Sequence, residues 1–418
     1  MRYVIIGSGP AGILGAEALR RHDIGSDVFV IGDEPEPPYS RMAIPYLLRD
    51  RIKENGTYLR KSGNYFENKN IQLIQSRVMS ISPEHKTIAL ASGKHFSYDR
   101  LLIATGSTPV SPPIKGVDQL GVHHCWTLED ARHIAQRAKP NSKVVLMGAG
   151  FIGCIILEAL ASRGVDLTVV ERENRMVPRM MNEVSGNLIK NWCEDRGVRV
   201  LTGTQVIEIS DTKPLEVCLA DGESLIADLV ITATGVKPNI SFLKGSGIET
   251  DHGILVDDRL NTGMSDIYAA GDVCQGRDFS TGDYTIQAIQ PTAVEHGNVA
   301  AANMVESSEL VHRGCLNMNI LDTMGLISTS FGLWDGVRGG ESVELTDRER
   351  YRYIDLEFED DVLVGANALG LTEHIGVIRG LIQSKLRLGN WKERLLRNPL
   401  ELMEAYVAVA HGLDHGPK

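Results

Sequence analysis

The sequence predicts an α/β chain with two Rossmann-like dinucleotide-binding folds and a C-terminal α+β domain. Three observations predict it. An apolar strand, a glycine turn and a helix open the chain as "YVIIGSGPAGILGAEAL". The same pattern returns as "KVVLMGAGFIGCIILEAL", its first glycine 141 residues beyond the first one. After about residue 313 the apolar runs become short and alternating and then give way to helical patterns, the order expected of an α+β unit.

In the first turn Gly7, Gly9 and Gly12 have GxGxxG spacing around Ser8, Pro10 and Ala11. The first glycine permits the tight turn, the second lets backbone approach a pyrophosphate, and the third lets helix and strand pack closely. The free N–H groups of the helix N-terminus then meet the phosphate. A second strand, "DVFVIGDE", ends in acids. Asp33 lies 21 residues beyond Gly12, the spacing of a carboxylate that binds an adenosine ribose, and Glu34 is its rival.

In the second turn Gly148, Gly150 and Gly153 surround Ala149, Phe151 and Ile152. The strand that follows, "DLTVVERE", places a carboxylate at Glu171. A carboxylate there favours a ribose with a free 2′-hydroxyl and repels a 2′-phosphate, which points to NADH over NADPH, although Arg172 follows directly. Two dinucleotide folds imply two dinucleotides: a tightly held flavin and a diffusing nicotinamide.

Bulk properties narrow the class. The 418 residues carry a net charge of -11, with 43% hydrophobic and 23% charged residues, as in an ordinary globular protein. That charge argues against general nucleic-acid binding. No apolar run reaches a membrane span's roughly 18–20 residues. The first strand begins almost at residue 1, without room for a signal peptide, so the expected compartment is the cytoplasm. Cys125, Cys154, Cys193, Cys218, Cys274 and Cys315 form no CxxC pair and no zinc-spaced cluster, so reduced, mostly buried thiols and no metal are expected.

Three further stretches carry a resemblance. "YDRLLIATGSTP" and "ADLVITATGVKPN" each end an apolar strand in Ala-Thr-Gly, and "TGMSDIYAAGDVCQ" ends one in Gly271-Asp272. Together with the glycine turns they resemble the pyridine nucleotide-disulfide oxidoreductase superfamily. "IGDEPEPPYSR" is similar to its ferredoxin and rubredoxin reductase branch, which includes the flavin module of nitrite reductases. The specific motifs cover residues 1 to about 305, and the likeness is looser from 313 on.

The resemblance implies a nicotinamide domain inserted in a flavin domain: FAD-binding at 1–112 and 241–308, NAD(H)-binding at 113–240, and an α+β interface domain at 309–418. It implies that Gly7, Gly9, Pro10, Ala11, Gly12, Asp33 or Glu34, Arg41, Ala104, Thr105, Gly106, Gly271, Asp272 and Thr292 line the FAD. Asp272 would take the ribityl hydroxyls. Arg41 would supply a charge-assisted bond to the phosphates or ribityl chain. The helix "PTAVEHGNVAAANM", with Pro291 in its first turn, would aim its positive end at the flavin ring. The nicotinamide side would be lined by Gly148, Gly150, Phe151, Ile152, Gly153, Glu171 and Gly235. His296, within the "PTAVEHGNVAAANM" stretch, is expected to be structural. His123 and His124 are expected to precede a strand, and His411 and His415 to lie in a tail.

Two departures matter. Cysteine-bearing relatives have their thiol at the position of Met42, and many ferredoxin reductases have a lysine at that of Tyr46. The family glutamate that pairs with this lysine corresponds to Ile155. Both halves of the pair are absent together, which is coherent because one buried charge left alone is costly. Tyr46 and Ile155 become positioning candidates, and no covalent catalytic residue is expected.

The expected function is an FAD-dependent NADH oxidoreductase that takes hydride from NADH to flavin N5 and passes electrons to a ferredoxin-, rubredoxin- or nitrite-reductase-type partner. Alternatives are an NADH oxidase or diaphorase acting on oxygen or a small molecule, and a flavoprotein subunit with an assembly or redox-sensing role. From Ser384 to Arg397 five basic residues (Lys385, Arg387, Lys392, Arg394 and Arg397) accompany one acid, Glu393, and Trp391. This is a candidate dock for a small acidic electron carrier, with a solvated helical face as the plain alternative. A homodimer through the C-terminal domain is the other expected partnership.

Overall fold

The computed structural model describes residues 1–305 and 309–410; His411 and His415 lie outside the described residues. It forms two compact units. The first comprises Met1–Val110, Trp126–Leu128 and Val236–Cys315, and the second Ser111–Cys125, Glu129–Gly235 and Leu316–Lys418.

The first unit is built on a five-stranded parallel sheet, in the order Ile267–Ala269, Arg100–Ile103, Arg2–Ile6, Asp27–Gly32 and Ile71–Gln75. Its central strands are fully buried, with Val4, Ile5, Leu101, Leu102 and Ile103 inaccessible to solvent. Near-continuous apolar runs of this kind belong to parallel strands covered on both faces. The Pro10–His22 helix buries Ile13, Ala16 and Leu19 against this core. It crosses the Gln290–Asn303 helix at two glycines: a Cβ on Gly297 would overlap the Ala11 carbonyl, and one on Gly15 would sit 3.3 Å from the Gly297 carbonyl. The two helix N-termini are thereby brought to the same end of the sheet.

The second unit repeats the parallel arrangement, in the order Arg199–Thr202, Asp166–Glu171, Lys143–Met147, Leu229–Thr232 and Val122–His124. His123 and His124 therefore form part of an edge strand and do not precede one. His124 is held by the Thr232 hydroxyl at 2.5 Å and the Ser111 hydroxyl at 3.1 Å.

The C-terminal region forms an antiparallel five-stranded sheet: Met318–Thr323, Leu326–Gly332, Val362–Leu369, Arg352–Glu359 and Glu341–Asp347. Its Arg352–Glu359/Val362–Leu369 hairpin turns at Asp360, which takes a left-handed φ of 50°. The helices Ile375–Ser384, Asn390–Arg397 and Leu402–Ala410 follow. No helix among the described residues is long and apolar enough to cross a membrane.

Candidate functional site

The two glycine turns share one local design. Gly7 has a φ of +114°, and a Cβ there would overlap the Ala104 carbonyl; one on Gly12 would overlap the Gly7 carbonyl. Both positions exclude a side chain because strand, turn and helix pack against one another. Gly9 differs: a Cβ would meet nothing within 4 Å. Its bareness leaves open space in front of the helix. Gly9 caps Pro10–His22 without any side-chain hydrogen bond, so the first-turn amides keep their capacity for an anion.

In the second unit, a Cβ on Gly148 would come within 2.6 Å of the Ala233 carbonyl and one on Gly153 would overlap the Gly148 carbonyl. Gly150, like Gly9, faces nothing within 4 Å. It caps Phe151–Ala161, again with no side-chain bond. Phe151 and Ile152 open this helix half-buried, and Gly235, at a φ of +116°, ends the Ala-Thr-Gly turn with open space beside it.

Glu171 ends the second strand of this fold. It is 8% exposed, and it accepts from the Ala149 N–H at 2.6 Å and the Glu173 N–H at 2.9 Å. These bonds hold its carboxylate at the glycine turn. Arg172 points elsewhere, exposed and paired with Glu173 at 3.0 Å.

In the first unit the two rival acids part company. Asp33 forms an exposed ion pair with Arg77 at 2.9 Å. Glu34 receives Arg41 at 2.5 Å and the Tyr39 hydroxyl at 2.5 Å. Arg41 also donates to the Trp126 carbonyl at 2.8 Å, and its guanidinium lies 5.3 Å from the Trp126 ring. Burial raises the Tyr39 phenol above its ordinary range, with Arg41 acting against that shift.

The contacts continue toward Asp272. The Trp126 indole donates to the Ser107 carbonyl at 3.1 Å, and the Ser107 hydroxyl donates to Asp272 at 3.1 Å. Burial raises the Asp272 carboxyl, opposed by the Ser107 bond and by Arg41. Gly271, at φ +80°, allows the turn that presents Asp272; a Cβ there would press on Ala11 at 3.0 Å.

Ala104, Thr105 and Gly106 form the neighbouring wall, where the Thr105 hydroxyl donates to the Asn239 carbonyl at 3.0 Å and the Gly106 carbonyl accepts the Asn239 N–H at 2.9 Å. Thr292 is buried in the first turn of Gln290–Asn303, whose N-terminus also lacks a side-chain cap. The Ser40 hydroxyl donates to Gln290 at 2.6 Å, joining the Arg41 loop to that helix. Met42 and Tyr46 are 46% and 50% exposed, and Ile155 is half-buried on Phe151–Ala161.

Thus Gly9, Glu34, Arg41, Asp272 and Thr292 belong to one folded unit, and Gly150, Ile155, Glu171 and Gly235 to the other. Tyr39, Ser107 and Trp126 escaped the sequence reading. Tyr39 stands in the PPYSR stretch and Ser107 directly follows the Ala-Thr-Gly turn, but Trp126 belongs to no glycine motif.

This fold, with its two open glycine cradles, defines an oxidoreductase class that binds two dinucleotides. The model of the pyridine nucleotide-disulphide oxidoreductase family matches residues 1–297, and the chain belongs to that family. It is 31% identical to the NADH-dependent phenylglyoxylate dehydrogenase subunit epsilon of Aromatoleum evansii, over 96% of this chain and 95% of that one. An NADH oxidase of Methanocaldococcus jannaschii is 33% identical over 73% of this chain and 70% of its own. Among solved structures, an NAD-dependent persulfide reductase from A. fulgidus superposes with a TM-score of 0.87 at 26% identity, covering 93% of this chain and 78% of its own.

Proposed function

We propose that the chain is an FAD-dependent NADH oxidoreductase whose electrons pass to a redox-protein acceptor. The pair of cradles at Gly9 and Gly150 carries the reading. Each joins open space to an uncapped helix N-terminus, one in each folded unit. When bound, FAD supplies a hydride acceptor for the nicotinamide and a donor of electrons to the acceptor protein.

The amides beside Gly9 take the FAD pyrophosphate, with Gly7, Pro10, Ala11 and Gly12 shaping the turn. Glu34, held by Arg41 and Tyr39 and less exposed than Asp33, takes the adenosine ribose, while Asp33 pairs at the surface with Arg77. Arg41, steadied by Tyr39 and Trp126, supplies positive charge for the phosphates or ribityl chain. Asp272 accepts from the ribityl hydroxyls, beside Ala104, Thr105, Gly106 and Gly271. Thr292 and the first turn of its helix favour negative charge on the flavin ring.

Gly148, Gly150, Phe151, Ile152, Gly153 and Gly235 receive NADH, and Glu171 accepts from its 2′-hydroxyl. The proposed extents are 1–112 and 241–308 for FAD, 113–240 for NAD(H) and 309–418 for the interface domain. With Met42 in place of a thiol and Tyr46 and Ile155 in place of an ion pair, the residues here position reactants and form no covalent bond to substrate.

The likeness to an enzyme subunit over nearly the whole of both chains supports a protein acceptor. The C-terminal domain is the proposed interface, for such a carrier or for a second copy of this chain. Lys392 pairs with Glu341, and Arg394 both pairs with Glu401 at 2.7 Å and stacks 3.8 Å from the Trp391 ring centre. Lys392, Arg394 and Arg397 lie on the Asn390–Arg397 helix, while Lys385 and Arg387 lie in the connection before it, and together they form the surface proposed to meet an acidic carrier.

The test is anaerobic: the flavin-loaded protein is mixed with NADH and separately with NADPH while the flavin band is followed. Rapid bleaching by NADH and slower bleaching by NADPH is expected. Bound flavin that dithionite reduces and NADH does not would sink the reductase reading and favour an assembly or sensing role.

A further inference from the structure

A second cluster in the first unit has no part in the dinucleotide reading. His296, His312 and Cys315 converge in the interior at 4%, 5% and 9% exposure. The two Nε2 atoms lie 3.3 Å apart, and Cys315 Sγ lies 3.2 Å from His312 Nε2 and 3.5 Å from His296 Nε2. Tetrahedral coordination, with metal–nitrogen bonds of about 2.0–2.1 Å and a metal–sulfur bond of about 2.3 Å, separates its ligand atoms by about 3.3–3.6 Å. The three observed edges lie close to that triangle.

We propose that His296, His312 and Cys315 are three protein ligands of a zinc-class metal site beside the Gly271-Asp272 turn.

Two imidazoles and one thiolate are the donor set that suits zinc and similar borderline-soft ions. The surroundings favour it further. Glu295 accepts from His312 Nδ1 at 3.1 Å, the carboxylate–histidine arrangement that turns the other ring nitrogen toward a metal and fixes its tautomer. Each ligand also sits on fixed backbone. His296 is in the middle of Gln290–Asn303, and His312 N–H donates to the Asp258 carbonyl at 2.7 Å. Cys315 N–H donates to the Arg277 carbonyl at 3.0 Å, and the Cys315 carbonyl accepts from Gln287 at 2.9 Å. A site prepared in this way loses little conformational freedom on binding.

Without metal the same atoms close a hydrogen-bonded chain. His312 Nδ1–H donates to Glu295, the thiol donates to His312 Nε2, His296 Nε2–H donates to Sγ, and Gly271 N–H donates to His296 Nδ1 at 3.3 Å. A metal replaces the thiol proton, which leaves to solvent. It also takes the His296 Nε2 lone pair, so that ring's proton moves to Nδ1 and Gly271 N–H must give up its bond. Loading the site therefore loosens the turn that presents Asp272. The flavin spectrum becomes a second readout, one that a merely adjacent surface metal would not move.

The experiment uses the full chain with its flavin. After chelation and removal of the chelator, cobalt(II) is titrated in. One equivalent should produce tetrahedral d–d bands in the red, beyond the flavin absorption, together with a small shift of the flavin band, and zinc(II) should abolish the cobalt bands. Cys315→Ser and His312→Ala should lose the bands. Glu295→Gln, at an exposed carboxylate, should weaken affinity about 10–100-fold without unfolding the protein. Cys218→Ser, on the separate Leu215–Leu219 strand, should leave binding intact. No bands in folded, flavin-loaded wild type at several equivalents, or unchanged bands in Cys315→Ser, would overturn the site. This test is independent of NADH oxidation, so the two readings fail separately.

Discussion

Gly9 and Gly12 make opposite predictions although three residues separate them. Gly12→Ala must drive a methyl group into the Gly7 carbonyl, which strand and helix both hold in place. Unfolding free energy should fall by roughly 2 kcal/mol or more, seen as a lower melting temperature even without flavin. Gly9→Ala adds its methyl to open space at an ordinary φ of −76°. Flavin-free stability should stay within about 0.5 kcal/mol of wild type. FAD affinity should drop tenfold or more, because the methyl stands where a pyrophosphate would approach. Equal FAD affinity in Gly9→Ala and wild type would remove the cradle argument. Glu171→Gln cancels the charge and keeps an acceptor oxygen for one of the Ala149 and Glu173 amides, so the preference for NADH over NADPH should shrink about tenfold. The glycine logic was legible in the sequence because Cβ exclusion is local. The partners of Asp33 and Glu34 were not: both acids follow the same strand, and Arg77, Tyr39 and Arg41 reach them from elsewhere in the chain. Likewise the spacing of His296, His312 and Cys315 matches no zinc signature, because a helix and the loop beyond it bring them together.

At the scale of elements, the alternation after residue 313 foretold strands followed by helices, and the structure has that order. What alternation could not show is the polar row crossing the C-terminal sheet. Ser330 pairs with Asn367, Asn367 with Asp355, and Asp355 with Glu344, so four polar side chains share one line across four strands. Asn367 and Ser330 are fully buried, and Asn367 ties the sheet to the Met180 carbonyl at 3.0 Å. Glu357 lies two residues beyond Asp355 on the same strand, and so on the same face of the sheet. Burial and then Glu344 raise Asp355 to about 6, while burial, Asp355 and Asp335 raise Glu357 to about 7. An acid raised in the folded state binds a proton that the unfolded chain has already released. Its contribution to stability is therefore full below the ordinary glutamate value of 4.5 and is lost as pH rises through about 7. Glu357→Gln removes that loss. Its melting temperature should exceed wild type by about 2–4 °C at pH 8, the shift expected for about 1 kcal/mol in a domain of this size, and should match wild type near pH 4.5. The same difference at both pH values would show that packing, not charge, controls the site.

At the scale of the whole molecule, the doubled strand–turn–helix pattern predicts two cradles that work separately. The sequence made this duplication visible because each copy carries its own glycines and its own strand-ending acid. It did not reveal that the C-terminal sheet belongs to the same compact unit as the second cradle, since that grouping depends on long-range contacts such as Asn182 to Tyr353 and Trp192 to the Thr323 carbonyl at 3.0 Å. Amide hydrogen exchange can test the separation. In flavin-free protein, NADH should protect the amides around Gly148–Cys154 and Glu171 and leave those around Gly7–Ile13 unchanged. FAD should do the reverse, and should also protect Gly271 and Asp272. The protected sets follow from geometry, because at each cradle the free donors belong to the first turn of its own helix and the strand-end carboxylate lies in the same unit. Mass action stabilises whichever unit holds its ligand, by about 2.7 kcal/mol at a ligand concentration 100 times Kd, enough to slow local opening about a hundredfold. Protection by NADH centred on Gly7–Ile13 would mean that the first cradle takes the nicotinamide, and the assignment of the two dinucleotides would have to be exchanged.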